Sequence, residues 1–256
     1  PGGKRTLLVP ARNFPVEMLF LRDDDIPESV ASGVADVGIV GLNEVMEKRC
    51  PVGILKKLGF GKCRLSLAIP QDIDYQDRNW FSGKKIATSY PGILSDYLHK
   101  NGIVSDIHVI TGSVEIAPGI RLADAIFDIV SSGSTLVSNR LKEVETVVES
   151  EAVLIGTDSI SPEKRGILDE LLFRFDSVQA ADDKKYILMN VPQKKLNDVL
   201  SVLPGIKSPT VMPLADKEWC SVHTVLDEKC FWEIINRLKT AGAEGILVLD
   251  IEKMIL

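Results

Sequence analysis

The residues best suited to chemistry in this 256-residue chain form one short run, Asp128-Ile129-Val130-Ser131-Ser132-Gly133-Ser134-Thr135-Leu136. An apolar strand delivers a carboxylate, and small hydroxyl residues then surround a glycine. Small side chains let a phosphate approach the backbone, and successive N–H groups at a following helix start can bind it. Asp128 is then placed to bond sugar hydroxyls beside that phosphate. A Ser/Gly turn with no ligand is the plainer alternative.

Other candidates are less specific. Glu115, in Gly112-Ser113-Val114-Glu115, could orient a substrate hydroxyl or a water on Mg²⁺, or be an exposed loop carboxylate. Tyr90, at the Ser89-Tyr90-Pro91 turn, could stack on a base or pack in a core. Lys62 and Arg64 flank Cys63. Arg64 is a candidate phosphate contact, whereas Cys63 has no histidine nearby in sequence to make it a nucleophile. Asp23-Asp24-Asp25 puts three carboxylates in a row that cannot all face one metal, so a solvated loop with Asp25 capping a helix is expected. Arg22 beside them could reach a phosphate or pair with an Asp.

The elements that must position these groups follow from periodicity. Val16–Leu21 alternates as a strand. Ile26–Gly33 reads as a short helix with Pro27 in its first turn and Gly33 at its end. Val37–Gly41 is a short apolar run of the kind found in a buried parallel strand, and Cys63–Ile69 alternates up to Pro70. Lys84–Thr88 predicts a strand, Pro91–Asn101 a helix closed by Gly102, Ile107–Ile110 a strand, Leu122–Phe127 a helix, and Asp128–Val130 a strand. Such alternation argues for parallel sheets with helices on both faces and substrates at the strands' carboxyl ends. The C-terminal rhythm differs. Strand Tyr186–Val191 and helix Gln193–Leu203, closed by Pro204-Gly205, are followed by strands Thr210–Met212 and Cys220–Leu226. Helix Glu228–Thr240, closed by Gly242, and strand Ile246–Leu249 complete a ferredoxin-like β-α-β-β-α-β order.

Composition narrows the function classes. Net charge is −6 and the pI about 5.2, which argues against nucleic acid as the main partner. No apolar run approaches the roughly 18–20 residues of a membrane span, and Pro1–Arg5 lacks the apolar stretch of a signal peptide, so a cytoplasmic location is the default. Cys50, Cys63, Cys220 and Cys230 form no C-x-x-C pair, and His99, His108 and His223 are scattered, so a structural zinc site is not expected.

Taken together, several segments resemble ATP phosphoribosyltransferase: RDDDIP (22–27), CRLSLA (63–68), IATSYP (86–91), GSVE-AP (112–118), LADAI-D-VSSG-TL (122–136), SPT--PLA (208–215) and ILVL-IEKM (246–254). They occur in family order over essentially the whole chain and include the C-terminal domain, so the resemblance is to the long, self-sufficient form. It implies an α/β protein of two solute-binding-protein-like lobes plus a C-terminal ferredoxin-like regulatory domain. Lobe I would comprise residues 1–70 with 152–180, lobe II 71–151, and the regulatory domain 181–256.

The resemblance further implies Mg²⁺-dependent transfer of a phosphoribosyl group to N1 of ATP with release of pyrophosphate, the first step of histidine biosynthesis. Hexamers built of dimers and feedback inhibition by histidine are implied as well. Carried over by position, Ser131, Ser132, Gly133, Ser134 and Thr135 would hold the 5′-phosphate and Asp128 the ribose hydroxyls. Glu115 would lie near ribose or metal, with Tyr90 and Arg64 facing the nucleotide cleft. Thr210 in the SPT turn, with Asn190 and with Leu249 on the last strand, would line the histidine site. No general base is expected, because departure of pyrophosphate from the sugar needs aligned reactants and neutralised phosphates.

The family pattern opens with a further strand and helix carrying a Lys-Gly-Arg-Leu-like segment, whereas the resemblance here begins near Arg5-Thr6-Leu7. Either residues ahead of Pro1 supply that segment, or lobe I lacks a strand and activity suffers. The rival class, a two-lobed solute-binding protein, would carry a signal peptide and no appended β-α-β-β-α-β domain.

Overall fold

The computed structural model describes residues 7–204 and 208–255; Pro1–Thr6 and Gly205, used above, lie outside them. Contacts divide the chain into two units, Pro1–Ser161 and Pro162–Leu256.

The first unit begins with the hairpin β1 (Leu8–Pro10) and β2 (Glu17–Leu19). A 3-10 turn, Asp23–Asp25, leads into α1 (Ile26–Ala31). Asp25 itself has helical backbone angles and makes no side-chain cap, so the expected N-cap role is not realised. Arg22 Nε lies 3.3 Å from Asp24, the pairing alternative of the two foreseen.

Next come β3 (Val37–Gly41), α2 (Leu42–Lys48), β4 (Gly53–Lys57) and β5 (Cys63–Pro70). They are followed by β6 (Lys85–Thr88), α3 (Pro91–Lys100), β7 (Asp106–Val109) and β8 (Ala125–Val130). The unit ends with α4 (Ser134–Ser138), β9 (Leu141–Ser150) and β10 (Ala152–Gly156).

Two sheets result, in the orders β3-β10-β4 and β7-β6-β8-β5-β9. Only the β6–β7 and β6–β8 pairings are parallel. The small sheet is antiparallel throughout, so Val37–Gly41 is not the parallel strand expected. The cause is β10, which returns from the larger sheet to pair between β3 and β4. The strand expected to close lobe I, Cys63–Pro70, is hydrogen-bonded between β8 and β9 in the larger sheet, so the expected boundary at residue 70 falls inside that sheet.

Leu122–Phe127, expected as a helix, is a turn running into β8. Ala125, Ile126 and Phe127 are all fully buried because the strand is covered on both faces. A strand of that kind loses its alternation and reads equally well as a short helix. One face packs against α3 through Leu65, Leu67, Phe127, Ile93 and Leu94. The other gathers Ala68, Ile126, Val130, Val114 and Leu136.

The second unit opens with the 20-residue helix α5 (Pro162–Ala181), which sequence placed in lobe I. It clusters here with the C-terminal residues, and the Ser177 carbonyl accepts from the Met254 N–H at 2.8 Å. Then follow β11 (Lys184–Pro192), α6 (Leu196–Val202), β12 (Thr210–Pro213), β13 (Trp219–Asp227), α7 (Glu228–Ala241) and β14 (Glu244–Asp250). The order β12-β13-β11-β14, antiparallel at every pairing, is the ferredoxin-like arrangement expected. Among the described residues, no helix is long and apolar enough to cross a membrane.

Candidate active site

The alternation of β5 and β8 decides what faces the site. Arg64 lies opposite Val130, Ser66 opposite Asp128, and Ala68 opposite Ile126. Directly opposed residues share a face, so Arg64, Ser66 and Asp128 all lie on the side covered by α4. There a cavity of about 160 Å³ is lined by Glu115, Asp128, Ser131, Ser132, Gly133 and Thr135 over a floor of Ile126, Val130 and Leu136. The hydroxyl turn and both carboxylates singled out in sequence therefore border one space.

The turn has the geometry a phosphate needs. Gly133 has φ +79°, which favours glycine, and an added Cβ there would meet nothing within 4 Å. The turn feeds α4, whose first N–H groups have no acceptor within the helix. Ser132 Oγ and Ser134 Oγ are 2.9 Å apart, and the Ser134 N–H points at Ser132 Oγ from 3.4 Å. Asp128 Oδ1 accepts from the Ile129 N–H at 2.8 Å. Burial raises the Asp128 carboxyl above its usual range, the Ile129 N–H opposes that, and the negative Glu115 nearby adds to it. An acid so disposed favours neutral partners such as sugar hydroxyls, or a cation.

Arg64 is not a free cation. Its Nε and Nη2 each lie 2.5 Å from Glu143, and Nη1 donates to the Ser131 carbonyl at 3.2 Å. Glu143 also accepts from Ser66 Oγ at 2.7 Å and Thr146 Oγ1 at 3.2 Å. Led by the Arg64 hydrogen bond, these partners hold the Glu143 carboxyl down at about 2. Arg64 thus grips the start of the turn from beneath.

Tyr90 is 8% exposed and belongs to the core beside α3, so its ring does not present an open face for stacking in this structure. Its hydroxyl donates to Glu44 at 2.9 Å and accepts from Asn43 Nδ2 at 3.2 Å. Burial, followed by the Glu44 charge, pushes the phenol well above its ordinary range, and burial likewise raises Glu44. Close by, Glu47 on α2 accepts from the N–H groups of Gly92 and Ile93 at 2.8 and 2.9 Å. Arg49 donates to the Gly92 carbonyl and to Asp96. Asn43, Glu44, Glu47 and Glu143 were missed by sequence reasoning, because their partners lie 45 or more residues away. The one available signal was the 3.6-residue spacing that places Asn43, Glu44 and Glu47 on adjoining positions of α2.

In the second unit, the helix-facing side of the sheet holds Ile187, Met189, Val191, Cys220 and Val222. The register then sets Thr210 opposite His223, Asn190 opposite Ser221 and Leu249 opposite Tyr186, all on the face away from α6 and α7. Sequence gave no reason to group Tyr186 and His223 there. The Tyr186 hydroxyl and His223 Nδ1 are 2.6 Å apart, and His223 Nε2 lies 2.9 Å from Ser221 Oγ. Leu249, Tyr186 and Val225 border a wide depression of about 620 Å³ with Asp250–Met254. Among the described residues, no group of three or more His, Cys, Asp or Glu side chains could hold a metal ion.

Two family models match the chain: "HisG: ATP phosphoribosyltransferase" over residues 22–177 and "HisG, C-terminal domain" over residues 181–253. An ATP phosphoribosyltransferase of Bacteroides fragilis is 70% identical over 253 residues, which is 99% of this chain and 89% of the relative. That of Cytophaga hutchinsonii is 58% identical over 254 residues, at the same two coverages. Among solved structures, the ATP phosphoribosyl transferase (HisG:HisZ) complex from Thermotoga maritima superposes with a TM-score of 0.58 at 25% identity, covering 67% of this chain and 82% of that one. Matched by both family models and by relatives of this identity over nearly its whole length, the chain belongs to the ATP phosphoribosyltransferase family, in the long form that carries the HisG C-terminal domain.

Proposed function

We propose that this chain catalyses the first step of histidine biosynthesis, transferring the phosphoribosyl group of phosphoribosyl pyrophosphate to N1 of ATP with release of pyrophosphate. The observation that carries the reading is the convergence of the Ser131–Thr135 turn with Asp128 and Glu115 on one cavity. The turn's backbone N–H groups and hydroxyls would take the 5′-phosphate, and Asp128 would hold the ribose hydroxyls. Glu115, which lines the same cavity, would orient the ribose or a water on the substrate's metal ion.

No residue need act as a base. The adenine N1 attacks the anomeric carbon as the bond to pyrophosphate breaks, through an oxocarbenium-like state. The work of the site is therefore alignment of the two reactants and neutralisation of the leaving group. Mg²⁺ would arrive as the complex with the diphosphate, where one or two site carboxylates suffice as additional ligands. Tyr90 would act through Glu44 and Asn43 at the edge of the nucleotide cleft rather than by stacking, since its ring is buried.

Histidine would bind the unit built on β11–β14, with Thr210, Asn190 and Leu249, on the face away from α6 and α7, as candidate contacts. Dimers associating into hexamers and a cytoplasmic location belong to the same reading. The test is an ultraviolet absorbance assay with ATP, phosphoribosyl pyrophosphate and Mg²⁺, with and without histidine. A product signal that histidine suppresses is the expected outcome. No product from folded protein whose mass shows residues ahead of Pro1 would refute the assignment.

A further inference from the structure

Between the phosphate turn and the body of the sheet lies a network with no assigned role. Glu143 stands on β9 opposite Ala68 on β5, which puts it on the same face as Arg64, Ser66 and Asp128. Its carboxylate receives two N–H groups of the Arg64 guanidinium, the Ser66 hydroxyl and the Thr146 hydroxyl. Ser66 is buried, and the Arg64 and Glu143 side chains are 31% and 23% exposed, so the network is partly shielded from water.

A guanidinium held along one edge, through Nε and Nη2, by both oxygens of one carboxylate has a fixed plane. Its remaining amino group, Nη1, is thereby aimed, and it meets the carbonyl of Ser131, the first residue of the turn. Ser131 is itself exposed, so this is a tether on an otherwise accessible loop. The same pairing neutralises Arg64, which leaves it little free charge to offer a phosphate directly.

We propose that Glu143 is a positioning residue. It fixes Arg64 so that the guanidinium holds the Ser131 carbonyl and sets where the turn's N–H groups point; this rests on reading the turn as the phosphoribosyl pyrophosphate site. Substrate phosphate then meets donors already in place, and the ordering cost falls on the folded protein rather than on binding.

The experiment is calorimetric titration of the full chain with Mg²⁺–phosphoribosyl pyrophosphate and, separately, with ATP. Glu143→Gln keeps the shape and removes the charge. The expected result is a Kd for phosphoribosyl pyrophosphate weakened by about tenfold, a Kd for ATP within about twofold, and partial recovery in Glu143→Asp. Arg64→Lys, which cannot hold both contacts, should weaken the same ligand, and combining it with Glu143→Gln should add little, as expected for groups that act as a unit.

Unchanged phosphoribosyl pyrophosphate affinity in a folded Glu143→Gln protein overturns the proposal. So does equal weakening of both ligands alongside a fall in melting temperature, which is what a purely structural residue would give. Should Glu143→Gln fail to fold, Arg64→Lys and Glu143→Asp carry the same comparison. Gly133→Asp separates the two layers of the argument, because it sets a carboxylate where the phosphate would sit. If it abolishes phosphoribosyl pyrophosphate binding while Glu143→Gln does not weaken it, the site reading stands and the positioning role fails. If Gly133→Asp leaves binding intact, the site reading fails and takes this proposal with it.

Discussion

Removing the carboxylate of Glu47 should loosen α3 at its N-terminus, and the structure sets the size of the effect. Glu47 receives the N–H groups of Gly92 and Ile93, two of the donors that a helix start leaves without partners. The carboxylate also sits at the positive end of the helix dipole. Gly92 is matched to it, because an added Cβ would come within 3.0 Å of Glu47 Oε1 and 3.2 Å of Oε2. Loss of a side-chain cap costs about 0.5–2 kcal/mol, and a charge at a helix end contributes about 0.3–1 kcal/mol. Since these overlap, Glu47→Ala should destabilise the first unit by about 2 kcal/mol, and Glu47→Gln by about 1 because it keeps an oxygen acceptor. For a unit of this size that corresponds to a fall of about 4–8 °C in melting temperature for the alanine variant. Urea denaturation measures the first quantity, and amide hydrogen exchange localises it, since Gly92 and Ile93 should lose protection before the strands do. An alanine variant within about 0.5 kcal/mol of the parent, with unaltered exchange at those two amides, would refute the capping argument.

Acid should weaken the Arg64–Glu143 contact in a definite window. The Glu143 carboxyl is held down at about 2 against an ordinary value of 4.5, so its contribution is fully present above pH 4.5 and is lost as pH falls from there toward 2. With solvent screening allowed for, that contribution is about 1–2 kcal/mol. Stabilities of the parent and Glu143→Gln from urea unfolding should draw together as pH falls from 4.5 to 3, without yet meeting; curves that stay parallel would count against it. Thr210→Ala should weaken inhibition by histidine with little loss of basal activity, because Thr210 lies in the second unit while the proposed substrate site lies in the first. An unaltered inhibition curve would remove Thr210 from the histidine site.

Much of the molecule could be read from its chain. The Asp128–Thr135 run was singled out by residue chemistry alone, and its residues do border one cavity with Glu115. Gly133, Gly102 and Gly242 were legible because they fall in the left-handed region that side chains avoid. The β-α-β-β-α-β order of the second unit followed from clean alternation on strands with one face open, as Ile187, Met189 and Val191 show by being buried every second residue.

What sequence could not decide was set by long-range pairing. β8 hid its strand character because neighbours cover both its faces. β5 lies in the larger sheet because β8 and β9 bond to its two edges, a choice no local pattern encodes. Arg64 looked like a free cation until β9 brought Glu143 to it from 79 residues away. Tyr90 looked like a stacking platform until α2 delivered Asn43 and Glu44 to its hydroxyl. Periodicity and turn chemistry are local, so the chain alone marks strands with one open face and glycine-closed helices. Which charges are neutralised and which rings are buried depends on groups distant in sequence, and only the folded structure brings these together.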